Sequence, residues 1–348
     1  MAEPQVGYYV HHHGAGHATR ALAIARQLKC PVTLIGSNLP PLPASCGRLD
    51  LPGDTAPGMR VERFETLHYA PLAVHGLRER MGLLGDWMRA SWPCLLVVDV
   101  SVEVALLARL FGVPTLYLRQ HGRRDDPAHR QAYATATALL APFPPEMESP
   151  DTPAEVLAKT RYAGWVSRYA GRAAAEPQAG RVLVINGRGG SAFSHAGLAE
   201  LARACPQRSL YVAGALQGLP TQVPDNLTYL GTLDDPAEEM HRAELVIGSA
   251  GDSLVAEAAS LGCRYIAIAE ERPFDEQLQQ ARRLEQLGVA IGLEGWPEAS
   301  RWPSLLARAQ GLEPRTWLAW ADAQATSRCA AIIEDVMAET FRSPCAPR

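Results

Sequence analysis

The run Val6-Gly7-Tyr8-Tyr9-Val10, followed by His11-His12-His13-Gly14-Ala15-Gly16-His17-Ala18-Thr19-Arg20, changes its pattern partway along. Val6 to Val10 is short and apolar, as a strand buried on both faces must be. Beyond Ala18, the residues Ala21, Leu22, Ala25 and Leu28 recur at helical spacing. The strand therefore feeds a glycine-containing turn and then an amphipathic helix, the opening of a parallel α/β unit. Ligands of such sheets bind beyond the carboxyl ends of the strands, which puts Gly14, Gly16 and His17 at the crevice. The two glycines permit a tight turn and leave room for an incoming molecule.

The same rhythm continues outward. Val32 to Gly36, Leu95 to Asp99 and Thr115 to Leu118 read as further buried strands, and Val182 to Ile185, Ser209 to Ala213, Leu227 to Leu230, Leu245 to Ile247 and Tyr265 to Ala269 as a second set. Five prolines between Pro40 and Pro57 predict loops there. Gly171, Ala173 to Ala175, Pro177 and Gly180 mark a boundary before the second set. The expected organisation is a Rossmann-like domain over 1–165, a linker over 166–180 and a second Rossmann-like domain over 181–324. A last helix over 325–348 has a destination that periodicity does not settle.

At 348 residues the chain exceeds what one core usually serves. With 47% hydrophobic and 20% charged residues it has the composition of an ordinary globular protein. A net charge of -4 offers no surplus for a nucleic-acid backbone, so no nucleic-acid partner is expected. Seven cysteines, an odd number without a C-x-x-C pair, indicate neither a disulfide framework nor a zinc ribbon. The absence of a signal-like start or a long apolar run makes a cytoplasmic location the expectation and leaves peripheral membrane contact open.

His17 falls at a helix start, where the dipole disfavours imidazolium and favours a neutral base; the plainer reading is a capping or packed histidine. A dinucleotide fingerprint fits poorly, because Thr19 stands where a third small residue is needed and no acid follows Gly36-Ser37-Asn38. Neighbouring strand histidines point to opposite faces, so no metal site and no cofactor are expected. Asp99 ends an apolar strand at the same sheet edge as His17. It suits either the partner of that imidazole or an N-cap of the next helix. In the second half, Asn186-Gly187-Arg188-Gly189-Gly190-Ser191 and Gly248-Ser249-Ala250-Gly251-Asp252-Ser253 each follow a strand and open a helix. Backbone N–H groups there can cradle phosphate. Glu257, on the second of these helices, can accept hydrogen bonds from a vicinal diol or serve as a solvated carboxylate.

Together these motifs resemble the inverting, metal-independent glycosyltransferases of the GT-B fold, especially family 28. The likeness covers both halves: Gly14 to Arg20 is similar to the family's glycine-rich turn ending in its acceptor-side histidine, and Gly164 to Arg168 to its interdomain segment. Gly189-Gly190-Ser191 is similar to the donor-side loop, and Gly251 to Glu257 to the helix that meets diphosphate and ribose. The fold so implied is two doubly wound Rossmann-like domains facing across a cleft, with the last helix crossing back to the first. The resemblance implies His17 as base with Asp99 beside it. It assigns Arg168, Gly189, Gly190, Ser191, Ser249, Gly251, Asp252 and Ser253 to the donor diphosphate, Glu257 to ribose, and Leu230 to the region where the base packs. Asp275 and Gln277 fall to the donor sugar, and His13, Gly14, Gly16 and His121 to the acceptor side. The implied reaction is sugar transfer from a nucleotide diphosphate-sugar, UDP taken first, to an acceptor hydroxyl. Two alternatives stand beside it: a nucleotide-sugar hydrolase and a non-catalytic nucleotide-sugar-binding protein.

Overall fold

A computed structural model describes residues 3–11, 15–62, 64–172, 176–187, 193–218, 220 and 222–341. In the first lobe the elements run β1 (Gln5–Val10), α1 (Ala15–Ala25), β2 (Val32–Gly36), β3 (Cys46–Asp50), α2 (His75–Ala90), β4 (Cys94–Val98), α3 (Val102–Leu110), β5 (Thr115–Leu118), α4 (Pro127–Thr135), β6 (Ala138–Ala141), α5 (Ala154–Lys159) and β7 (Thr160–Tyr162). The strands form one parallel sheet in the order β3-β2-β1-β4-β5-β6-β7. Every residue of β4 is buried, as a central strand covered by helices on both faces requires. β1 pairs with β4 from Gln5↔Cys94 to Tyr9↔Val98, and Asp99 extends the pairing by one bond, its N–H donating to Tyr9 O at 3.0 Å. That register brings the ends of β1 and β4 to one edge.

The second lobe continues with β8 (Gln178–Ile185), α6 (His195–Ala204), β9 (Ser209–Ala213), β10 (Leu227–Gly231), α7 (Ala237–Arg242), β11 (Ala243–Ser249), α8 (Asp252–Ser260), β12 (Tyr265–Ile268), α9 (Glu276–Gln286), β13 (Ile291–Leu293), α10 (Trp302–Gln310) and α11 (Arg315–Leu318). Its sheet is also parallel, in the order β10-β9-β8-β11-β12-β13. The final helix, α12 (Ala325–Phe341), packs on the first lobe. Its Cys329, Ile333, Val336 and Met337 join the core of Val6, Tyr8, Ala21 and Ile24.

Four strands have no counterpart in the sequence pattern, and a fifth starts earlier than that pattern places it. β3 lies inside the proline-rich stretch taken for loops, within the proline-free run from Ala44 to Leu51, and this edge strand is mostly exposed. β6, β7 and β13 span three or four residues each, too short for an alternating pattern to register. β8 begins at Gln178, earlier than Val182, because Gln178 and Ala179 are exposed and Arg181 is charged, so the apolar run starts late.

An apolar seam joins the lobes. Phe143, Met147, Trp165 and Tyr169 share one core with Ala250, Val255, Ala256 and Trp317. Trp165 meets Trp317 edge to face at 6.1 Å, a favoured aromatic geometry.

Candidate active site

His17 lies in the first turn of α1, and its Nδ1 stands 3.0 Å from Asp99 Oδ1. Arg20, one helical turn further on, donates through its NH2 group to both oxygens of Asp99, at 2.9 and 3.1 Å. Asp99 is completely buried. Burial alone would raise its carboxyl, but Arg20 and His17 outweigh that and hold it at about 2. The carboxylate is therefore ionised. Arg20 NH2 also stands 3.2 Å from His17 Nδ1, but its two hydrogens go to the Asp99 oxygens, so Nδ1 carries its own proton, donates it to Asp99 and leaves Nε2 as the basic nitrogen. His11 closes one side, its ring edge-on to His17 at 5.5 Å.

The alternative role for Asp99, capping α3, belongs to Ser101 instead: its Oγ accepts from the N–H of Val104 at 3.2 Å. Between them Val100 has φ of 62°, a left-handed conformation costly for a β-branched residue. The chain so bent sends Asp99 toward α1 and Ser101 toward α3. Sequence reading quoted Arg20 within the motif but gave it no role; its spacing of three from His17 was the available signal.

In the second lobe, Ser249 ends β11 and is buried; its Oγ lies 4.0 Å from the Cβ position of Gly187 and 3.6 Å from that of Gly251. The two glycine turns are thus neighbours at one sheet edge. Asp252 opens α8, and Gln280, with its amide nitrogen turned toward them, donates to Asp252 Oδ1 at 2.7 Å and Ala250 O at 3.2 Å. Gln277 is buried, its Oε1 accepting from Glu270 N at 3.1 Å while Nε2 faces Gly251. Arg168 Nε donates to Glu257 Oε1 at 2.8 Å, so the interdomain arginine and the helix carboxylate are paired.

These two edges face each other. A cavity of about 60 Å³ is lined from the first lobe by Gly16, Thr19 and Arg20 and from the second by Asp252, Ser253 and Glu257, with Arg168 at the hinge. Gly16 approaches closely enough that a Cβ would come within 2.8 Å of Ser253 Oγ. Leu230 lies apart from the cavity, half-buried at the end of the edge strand β10. Asp275 and Glu276 stand at the start of α9, across from the loop after β5. In that loop His121 is buried against Phe143, ring to ring at 4.3 Å, and its Nε2 has no partner among the described residues. Burial pushes this imidazole down, keeping it neutral. His13, Gly14, Gly189, Gly190 and Ser191 lie outside the described residues.

Among the described residues His68, Asp126 and His129 gather polar atoms within 4.8 Å of one another. Hydrogen-bond accounting disfavours a metal there. Arg124 NH1 stands 3.1 Å from His129 Nε2 and can only donate, so Nε2 accepts and the ring proton sits on Nδ1, directed at Asp126 Oδ2 at 2.5 Å. His68 Nε2 meets Asp126 Oδ1 at 2.8 Å. His129 then has no lone pair to offer an ion unless Arg124 withdraws. Burial, and then Arg124, push His129 down to about 4.

Residues 212–299 match the C-terminal domain of glycosyltransferase family 28. No curated protein matches the chain in sequence. MurG of Acinetobacter baumannii is similar in structure at TM-score 0.66 and 17% identity, over 96% of this chain and 100% of that one. UGT2 of Phytolacca americana, solved complexed with UDP-2-fluoroglucose and pterostilbene, is similar at TM-score 0.67 and 15% identity, over 96% and 100%. Spinosyn rhamnosyltransferase SpnG follows at TM-score 0.61 and 17% identity, over 96% of each chain. At such identities the likeness establishes the architecture, two Rossmann-like domains facing across a cleft in the GT-B arrangement.

Proposed function

We propose, from the premise that this chain is a GT-B glycosyltransferase resembling family 28, that it transfers a sugar from a UDP-sugar to an acceptor hydroxyl with inversion and without a metal. The observation that carries this reading is the hydrogen-bonded His17–Asp99 pair at the first lobe's edge, joined through Arg20 to the cavity that Gly16 and Arg20 share with Asp252 and Ser253 at the opening of α8. With Nδ1 committed to Asp99, His17 Nε2 takes the acceptor proton as the hydroxyl attacks the anomeric carbon. Buried Asp99 stabilises the imidazolium that forms. The departing diphosphate gains negative charge, met by the backbone N–H groups at Gly251 to Ser253, those of Gly189 to Ser191, and Arg168. Glu257 holds the ribose, Leu230 lies beside the base, and Asp275 and Gln277 serve the transferred sugar. Gly16 and His121, with His13 and Gly14, form the acceptor side.

Two observations support a metal-free route: cationic groups stand where charge develops, and the one His-Asp-His cluster found among the described residues is committed to internal hydrogen bonds. A UDP donor draws support from the UDP-sugar complex of the structural neighbour UGT2. Ligand pockets usually span about 300–1,000 Å³, so a cavity of about 60 Å³ requires the lobes to part before a donor enters. The test is His17→Ala. Nucleotide affinity stays within about twofold of wild type, while transfer falls by about 10²- to 10⁴-fold, the usual contribution of a general base; unchanged turnover refutes the assignment. Sugar release measured with donor alone separates transfer from hydrolysis.

A further inference from the structure

We propose that the segment serving the donor sugar is shaped by the opposite lobe, with Arg124 and Gly122 acting as positioning residues for Asp275 and Gln277. The inference rests on the sugar-transfer reading and deepens it.

Phe274 and Asp275 are consecutive left-handed residues, at φ of 61° and 54°, and neither is glycine. Such a conformation persists where surroundings over-determine it. Asp275, the residue capping α9, makes no side-chain capping bond. The restraints come from the first lobe. Arg123 N–H donates to Phe274 O at 2.7 Å, and Arg123 Nε stands 3.5 Å from Asp275 Oδ2. Arg124 donates to Glu276 Oε2 at 2.9 Å, and its guanidinium lies 5.0 Å from the centre of the Phe274 ring. That ring, itself still partly exposed, packs against His68, at 5.1 Å, and His129, at 4.8 Å. Three successive residues, 274 to 276, are thus gripped from across the gap.

Gly122 permits the approach. Its φ of 104° lies in the region that favours glycine, and a Cβ there would stand 2.6 Å from Phe274 O and 3.0 Å from Glu276 Cα. Arg124 is fixed from behind by Gln120 Oε1 at 2.8 Å, His121 O at 3.0 Å and His129 Nε2. His129 is oriented in turn by Asp126, and Asp126 by His68. This relay gives the metal-like cluster its role: it stiffens the arginine that reaches across.

Gln277 follows in the first turn of α9, beside Gly251, so the backbone set at 274 to 276 determines where it and Asp275 lie. The nucleotide, by contrast, meets residues of the second lobe and the hinge. Lobe-one residues that touch no part of the donor therefore control how much its sugar adds to affinity.

The test measures Kd by titration calorimetry for UDP and for UDP-glucose, UDP-galactose and UDP-N-acetylglucosamine, on wild type, Arg124→Ala, Arg124→Lys and Gly122→Ala. Wild type gains affinity from one of these sugars over UDP. Arg124→Ala and Gly122→Ala lose that gain by about tenfold and hold the Kd for UDP within twofold; Arg124→Lys recovers part of it. Arg124→Ala and Gly122→Ala proteins that unfold as wild type does, yet keep the full gain, overturn the proposal. A wild type that binds UDP with no gain from any of the three sugars overturns the roles of Asp275 and Gln277, and the proposal with them. The two failures are told apart by the wild-type measurement.

Discussion

Replacing Asp99 with asparagine removes one charge and little volume from the centre of the His17–Asp99–Arg20 cluster. Asp99 is wholly buried, and its oxygens take the hydrogen bonds from His17 Nδ1 and Arg20 NH2. Its carboxyl sits at about 2 where 3.8 is ordinary. At about 1.36 kcal/mol per pH unit that difference is worth about 2 kcal/mol. Because the folded value is depressed, the stabilisation is fully present above about pH 4 and is lost as pH falls through about 2. Asparagine keeps one acceptor oxygen but leaves the Arg20 guanidinium without a counter-charge, and breaking a buried pair from one side typically costs 3–5 kcal/mol. We expect Asp99→Asn to lose about 2–3 kcal/mol at pH 7, read from urea unfolding, and the gap to wild type to narrow as pH falls from about 4 through 2. Transfer drops by at least about 10²-fold, since the imidazole loses the charge that stabilises its protonated form and must share the one remaining amide oxygen with Arg20. A stability gap that stays constant with pH, or transfer within threefold of wild type, refutes the reasoning.

Two further outcomes follow from packing and charge. Ile333 of α12 is fully buried against the first sheet, so Ile333→Ala should cost about 2–5 kcal/mol, visible as a lower thermal midpoint with the Kd for UDP unchanged well below that midpoint. Burial, and then the Asp252 carboxylate, raise Glu276 from 4.5 to about 7. The folded chain thus holds this proton more tightly, and stability falls as pH rises from about 4.5 through 7. Glu276→Gln should flatten that decline; parallel stability–pH curves count against it.

The central strands were legible because burial on both faces leaves an unbroken apolar run, as in Leu95 to Val98. Edge strands carry no such mark. β3 lies exposed among prolines, and β13 is three residues long with a glycine in its middle. His17 and Asp99 were readable as a pair of sheet-edge residues, since the carboxyl ends of parallel strands converge. Whether Asp99 faced the imidazole or capped α3 depended on the backbone at Val100, whose left-handed turn has no signature in a valine. Arg124 and Phe274 were invisible for a different reason: about 150 residues separate them, and only the apposition of the lobes makes them neighbours. The helical pattern of α12 was plain, but periodicity reports that a face is apolar and not which surface covers it.

The return of α12 to the first lobe has a mechanical consequence. The backbone passes from one lobe to the other between β7 and β8 and passes back between α11 and α12. A body held by two covalent straps swings about the line joining them and cannot swivel freely, so opening to admit a donor is confined to a door-like rotation. Ser253 and Gly16, like Phe274 with His68 and His129, therefore meet in a single alignment wherever the lobes touch.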